Sequence, residues 1–109
     1  MTPEAKVKTA VKKELDKAGV YYFMPPANGY GRAGIPDIIC CVNGYFLAIE
    51  CKAGKGKTTA LQERELANIK AAGGMALVVY DTPEDFRILG TYIECLKQRS
   101  HHGRMERTI

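Results

Sequence analysis

The stretch from residue 34 to residue 52, "GIPDIICCVNGYFLAIECK", decides the fold. Two β-rich apolar runs flank Asn43-Gly44, the dipeptide most typical of a two-residue type I′ hairpin turn. Near the turn, both faces of both runs are apolar. The pattern therefore predicts a β-hairpin at the centre of a sheet that is covered on both sides.

Three charged residues interrupt this hairpin, and its register brings them together. With Asn43-Gly44 as the turn, continuing the ladder away from it places Asp37 directly opposite Glu50. Directly opposed residues share a face, with Cβ atoms about 4.5–5.5 Å apart. Lys52 lies two residues beyond Glu50, so it projects from the same face about 7 Å further along.

Opposed carboxylates repel each other, and the cost rises when the site is half-buried. A cation is therefore expected between Asp37 and Glu50. Lys52 alone would make a structural ion cluster. Mg²⁺ is the alternative that we favour, because it prefers oxygen ligands, commonly takes one or two carboxylates, and keeps waters for the substrate.

The rest of the chain supplies helices and further strands around the hairpin. Thr2-Pro3 predicts a helix N-terminus, and this helix runs to about Ala18. The other predicted elements are a strand at 20–24, a loop at 25–34, a helix capped by Thr58 or Thr59 and ending at Gly73-Gly74, a strand at 75–81, and a helix starting at Thr82-Pro83. The order αβββαβα predicts a mixed α/β fold, with one domain over 1–99 and a polar tail over 100–109.

The first helix offers another carboxylate. Val7, Val11, Leu15 and Ala18 form its predicted buried stripe. On a wheel of about 100° per residue, Glu14 falls inside that stripe. A core-facing carboxylate needs a partner, and the acidic patch on the sheet would provide one through a metal. The alternative is that Glu14 reaches solvent or pairs with a lysine.

Bulk composition restricts the class of protein. The chain has 109 residues, a net charge of +4 and four cysteines without paired metal-ligand spacing. No apolar run is long enough to span a bilayer, and no signal-peptide core is present, so we expect a cytoplasmic protein without membrane contact. Lysine and arginine clusters suit a polyanionic partner such as nucleic acid, although ordinary solvated lysines would look the same.

Pro36-Asp37 followed by Glu50-Cys51-Lys52 resembles the PD-(D/E)xK motif of the restriction-endonuclease-like superfamily. The closer resemblance is to its VRR-NUC branch, the virus-type replication and repair nucleases, through "GIPD" and "AIECKAGKGKTTALQERELANIKAAGGMALVV". The similarity covers roughly residues 14 to 80. It implies a restriction-endonuclease-like core, with a mixed central sheet flanked by helices.

The resemblance also implies roles for the motif residues. Asp37 and Glu50 would ligate Mg²⁺ or Mn²⁺, with the backbone carbonyl of Cys51 as a further ligand. Lys52 would orient or help deprotonate the attacking water, and Glu14 would bind the metal directly or through water.

Gln62 has two predicted roles that can coexist. The family resemblance implies that it helps place the water or the lysine. The local sequence Thr59-Ala60-Leu61-Gln62 also matches a capping box, in which the glutamine bonds back to the cap residue.

Three basic residues are candidates for nucleic-acid binding. Arg32 lies with Tyr30 in the glycine-rich loop before Asp37, where it could contact a phosphate or simply belong to a surface loop. Lys55 and Lys57 lie in a loop directly after the motif.

Together these features predict a Mg²⁺-dependent DNA endonuclease. The family resemblance implies a homodimer that acts on branched, Holliday-junction-like DNA, and a two-fold axis would let two sites cut two strands. An apolar row on the last helix would serve as dimer interface or as ordinary core: Phe86, Leu89, Ile93 and Leu96. The alternative function is a non-catalytic nucleic-acid-binding module whose charges form a structural ion cluster.

Overall fold

A computed structural model describes residues 1–26 and 32–100 of the chain. Its elements follow the predicted order αβββαβα. They are α1 (Pro3–Lys17), β1 (Tyr21–Phe23), β2 (Ile38–Val42), β3 (Tyr45–Cys51), α2 (Ala60–Ala71), β4 (Met75–Val79) and α3 (Pro83–Gln98). The mixed α/β, restriction-endonuclease-like fold class is thereby confirmed. Ser100 is the only residue of the predicted polar tail that lies within the described part of the chain.

Each helix begins at a threonine that the sequence marks as a cap. The Thr2 hydroxyl accepts a hydrogen bond from the backbone N–H of Ala5, at 3.1 Å. Thr59, rather than Thr58, caps α2, and Thr82 caps α3. These side chains satisfy backbone donors that a helix N-terminus leaves unpaired. Among the described residues, no helix has the length and apolar character that crossing a membrane requires.

The sheet is mixed, with strand order β1-β2-β3-β4. β2 pairs antiparallel with both β1 and β3, and β4 pairs parallel with β3. The hairpin has the predicted register: Val42 pairs with Tyr45, and the ladder continues to Ile38 opposite Ile49. Asn43 takes a positive φ of 53° and Gly44 one of 83°, as a type I′ turn requires.

The two faces of the sheet are covered unequally. One face packs against α1 and α3 in the main core, which includes Leu15, Ile38, Leu47 and Leu89. On the other face, α2 contributes Leu66 to a smaller cluster with Ala48 and Ala76. Tyr21, Cys41 and Phe46 are neighbours across the strands and remain exposed. The prediction that the hairpin is covered on both sides was therefore wrong near its turn.

The apolar row on α3 belongs to the core. Leu89, Ile93 and Leu96 are buried, and Phe86 packs against the same cluster. Of the two interpretations of this row, ordinary packing is the one the structure supports.

Candidate active site

The site lies at the end of the β2–β3 hairpin that is remote from the turn. Asp37 comes one residue before β2, and the ladder register directs it toward the Glu50–Cys51 end of β3. Lys52 follows β3, and its backbone N–H donates to the carbonyl of Val79 at 3.0 Å. Backbone pairing thus holds the segments that carry the three motif residues.

Asp37 uses its two carboxylate oxygens differently. Oδ2 accepts a hydrogen bond from the backbone N–H of Cys51 at 2.8 Å, which fixes the side chain against β3. Oδ1 lies 3.3 Å from the Nζ of Lys8, a residue of α1. One oxygen is therefore held by the sheet, whereas the other faces a cation.

The two carboxylate oxygens of Glu50 also differ in their surroundings. Its Oε2 accepts from the side-chain amide of Gln62 at 2.9 Å and lies 3.5 Å from the Nζ of Lys52. Its Oε1 is buried and has no hydrogen-bond partner among the residues that the structure describes. A buried carboxylate oxygen without a partner is costly, so this atom marks a position where a ligand is expected.

The electrostatics of Glu50 agree with that. Burial, the largest cause, and the negative charge of Asp37 together raise its pKa from 4.5 to about 7, although Lys52 acts in the opposite direction. Only 2% of Glu50 is exposed. The fold therefore buries this carboxylate despite the cost of desolvation and the repulsion from Asp37, a combination that is common at functional sites.

Gln62 forms the predicted capping box and also contacts the motif. Its Oε1 accepts from the backbone N–H of Thr59 at 2.9 Å, and its own N–H donates to the Thr59 hydroxyl at 3.2 Å, which completes the capping box. Its Nε2 donates to Glu50. The start of α2 is thereby joined to the motif on β3, and the amide orientation is fixed from both sides.

The N-terminal half of α1 contributes two residues that the sequence reasoning missed. Glu4 Oε1 lies 3.9 Å from Lys52 Nζ, and Lys8, one turn later, contacts Asp37. Burial lowers the pKa of Lys8, but the carboxylate of Asp37 outweighs it, and the pKa of Lys8 lies above its ordinary value. The helical wheel held a signal: at about 100° per residue, Glu4 falls between Val11 and Leu15, in the middle of the buried stripe.

Glu14 does not join this cluster. Its side chain is 43% exposed, and its Oε2 lies 3.6 Å from the Nζ of Lys17. The prediction that Glu14 faces the core was wrong, and the alternative of a lysine partner describes its surroundings. The α1 carboxylate that reaches the site is Glu4.

The predicted nucleic-acid contacts have different surroundings. Arg32 Nε donates to Glu65 Oε1 on α2 at 2.7 Å, although the arginine side chain is still 64% exposed. Lys55 and Lys57 are exposed in the loop after Lys52. The Tyr80 hydroxyl donates to the carbonyl of Gly56 at 2.6 Å, which ties that loop to the end of β4. Tyr30 lies outside the described residues.

A close approach of backbone to backbone positions the loop that leads to Asp37. Gly34 has a φ of 78°, and a Cβ built on it would stand 2.5 Å from the carbonyl oxygen of Leu61 on α2. No larger residue fits there without displacing one of the two segments. Together with the Arg32–Glu65 pair, this contact sets the position of the chain just before Asp37.

The donor chemistry of the site fits a divalent ion. Asp37 Oδ1 and Glu50 Oε1 are the oxygens that the sheet and α2 leave for a cation, and hard cations prefer carboxylate oxygens. Nowhere in residues 1–26 and 32–100 do three or more histidine, cysteine or acidic side chains form a ready metal cluster. The residues present therefore fit an ion that is held by two carboxylates and that takes its other ligands from the backbone, water or substrate.

Two comparisons with known proteins place the chain. The family model described as archaeal Holliday junction resolvase (Hjc) matches residues 5–89, a span that contains Asp37, Glu50, Lys52 and Gln62. A protein of Acyrthosiphon pisum secondary endosymbiont phage 1, named "Putative nuclease p44", is 34% identical over 79 residues. That match covers 70% of this chain and 81% of the phage protein.

Proposed function

The chain belongs to the archaeal Holliday junction resolvase family, and on that premise we propose that it is a divalent-metal-dependent endonuclease acting on branched DNA. The observation that carries the proposal is the pairing of Asp37 and Glu50. Each has one oxygen fixed by the fold; the other oxygen of Asp37 faces the ammonium group of Lys8, and the other oxygen of Glu50, Oε1, is buried without a partner among the described residues. Acids that can hold a metal ion beside a lysine suit metal-assisted phosphodiester hydrolysis.

The proposed ligands of Mg²⁺ or Mn²⁺ are Asp37, Glu50 and the backbone carbonyl of Cys51. When bound, such an ion polarises a phosphoryl oxygen and lowers the pKa of a bound water. Gln62 holds Glu50 in place through its amide, and the Asp37 carboxylate is oriented by the N–H of Cys51. These hydrogen bonds fix the ligands before any substrate arrives, which is the preorganisation that catalysis requires.

Lys52 is the proposed catalytic cation. It lies among carboxylates at 8% exposure, 3.5 Å from Glu50 and 3.9 Å from Glu4. From this position its ammonium group orients the attacking water and stabilises charge that develops on the phosphate. Glu4, rather than Glu14, is the α1 carboxylate that we assign to the site, as a partner of Lys52 and not as a metal ligand.

The substrate surface is proposed to include Lys55 and Lys57, because they are exposed in a loop tied down next to Lys52. Arg32 contributes an exposed guanidinium while its Nε stays bound to Glu65. Branched DNA and a homodimer are the finer parts of the proposal. Two sites related by a two-fold axis suit the paired cuts that a junction needs. The VRR-NUC-like strings of the sequence are a further resemblance within the same superfamily.

The test is nicking of a labelled four-way DNA junction, with linear duplex for comparison, in Mg²⁺, in Mn²⁺ and in chelator. We expect metal-dependent cleavage of the junction and none in chelator. Asp37→Asn should abolish cleavage and preserve or strengthen junction binding, because it removes a negative charge that faces the phosphates.

Asp81→Asn is the matched control, since Asp81 is an exposed acid at the end of β4; it should leave cleavage unchanged. Junction binding by the wild-type protein without metal-dependent cleavage of any DNA form would reject the nuclease and favour the non-catalytic binding module.

A further inference from the structure

Lys8 has no part in the motif, yet its ammonium group is the cation at Asp37. The Nζ–Oδ1 distance is 3.3 Å, and the Asp37 side chain is only 18% exposed. Asp37 Oδ2 is engaged by the N–H of Cys51. Lys8 therefore covers the one Asp37 oxygen that the fold leaves for a metal ion.

The second lysine of the site is held in another way. Lys52 is buried and lies between Glu50 and Glu4, and its backbone is paired with Val79. Lys8, in contrast, reaches Asp37 from a helix, and its side chain is 36% exposed. A long, flexible side chain at the rim can leave for solvent at little cost. Of the two cations, Lys8 is the one that an incoming ion can displace.

We propose that Lys8 is an internal competitor of the divalent ion: it neutralises Asp37 while the site is metal-free, and metal binding displaces it. The inference rests on the proposed metal-dependent nuclease. Lys8 is in this sense a positioning residue that acts through Asp37. Its presence weakens metal binding in the absence of DNA. Once displaced, its charge is available to a DNA phosphate next to the site.

Repulsion between like charges means that Lys8 weakens, rather than strengthens, binding of the divalent ion. A divalent ion at Asp37 Oδ1 would stand within a few ångströms of the ammonium group, where charges interact strongly even near a protein surface. Lys8 must move away, and its ion pair with Asp37 is lost. A variant without the charge avoids both costs. It should therefore bind the metal more tightly, which a purely structural role for Lys8 would not produce.

The experiment is calorimetric titration of the purified, chelator-stripped protein with Mn²⁺ in the absence of DNA. We expect Lys8→Met to bind Mn²⁺ about tenfold more tightly than wild type. Lys8→Arg keeps the charge and should remain near the wild-type affinity. Lys13→Met is the matched control, because Lys13 is an exposed lysine of the same helix, and it should not change the affinity.

A thermal melt in chelator should accompany each titration, and Lys8→Gln replaces Lys8→Met if the latter does not fold. Equal or weaker Mn²⁺ binding by the folded, uncharged variant would overturn the competitor role, as would an equal gain in the Lys13 control. Absence of Mn²⁺ binding in wild type and in all variants would instead reject the metal site itself, and with it the proposed function.

Discussion

The two ends of α1 carry the same residue types at nearly the same spacing and differ in what they contact. At the N-terminal end, Glu4 and Lys8 are one turn apart and reach Lys52 and Asp37. At the C-terminal end, Glu14 and Lys17 are three residues apart and pair with each other. One pair extends the site, whereas the other is a helix-surface ion pair.

Burial of the partners accounts for this difference. The partners of the N-terminal pair are a lysine side chain that is 10% exposed and an aspartate side chain that is 18% exposed. Lys17 is 77% exposed, and water screens its attraction to Glu14. A similar pair of charges on a helix thus becomes part of the site only where a buried charge of another element meets it.

The largest effect expected from this comparison is on cleavage. Glu4→Gln should lower junction cleavage about 10- to 100-fold, the range typical of residues that orient the groups of a metal site, because Lys52 loses one of its two carboxylate partners. Glu14→Gln is the matched control and should cleave like wild type. The measurement is the single-turnover rate of junction cleavage at saturating Mg²⁺, and melting curves confirm that both variants are folded.

Equal losses in the two glutamate variants would show that helix charge in general supports activity. A loss of cleavage confined to Glu14→Gln would mean that the C-terminal end of α1 supplies the functional carboxylate, as the sequence suggested. Only a loss confined to Glu4→Gln agrees with the contacts described above.

The hairpin could be predicted from sequence because its determinants are local. Asn43-Gly44 fixes the turn, the turn fixes the register, and the register brings Asp37 to Glu50. The three threonine caps and the capping box at Gln62 are local as well, which explains why the element order was predicted correctly.

The contacts that the sequence did not reveal are tertiary. A wheel shows which residues of α1 share a face, but it does not show which turn of that face lies over the end of β3. Glu4 and Glu14 both fell within the stripe on the wheel, and only the packing of α1 on the sheet distinguishes them. The Arg32–Glu65 pair likewise depends on how the loop meets α2.

The next effect in size concerns stability in the absence of metal. The pKa of Glu50 rises on folding from 4.5 to about 7, so the folded state favours the protonated acid. Its unfavourable contribution is absent below about pH 4.5, grows as the pH rises, and is complete above about 7. The full shift corresponds to at most about 3 kcal/mol. Because this pKa already includes the opposing effect of Lys52, we expect Glu50→Gln to gain up to about 3 kcal/mol at pH 8 in chelator.

Urea unfolding of wild type and Glu50→Gln at pH 5 and pH 8 measures this gain, and Glu14→Gln again serves as the control. The advantage of Glu50→Gln should shrink at pH 5 and should also shrink when Mg²⁺ is added at pH 8, because an ion that binds only the folded wild type stabilises it. A stability difference that is the same at both pH values would contradict the raised pKa.

The smallest effect belongs to the C-terminal pair of α1. Exposed ion pairs at this helical spacing contribute about 0.2–0.5 kcal/mol, and salt weakens them. A double-mutant cycle with Glu14→Gln and Lys17→Met, followed by urea unfolding at low and at high salt, should give a coupling energy in that range. A much larger coupling would mean that Glu14 has a buried partner after all. A coupling this small leaves the C-terminal end of α1 without the buried contact that makes Glu4 and Lys8 part of the site.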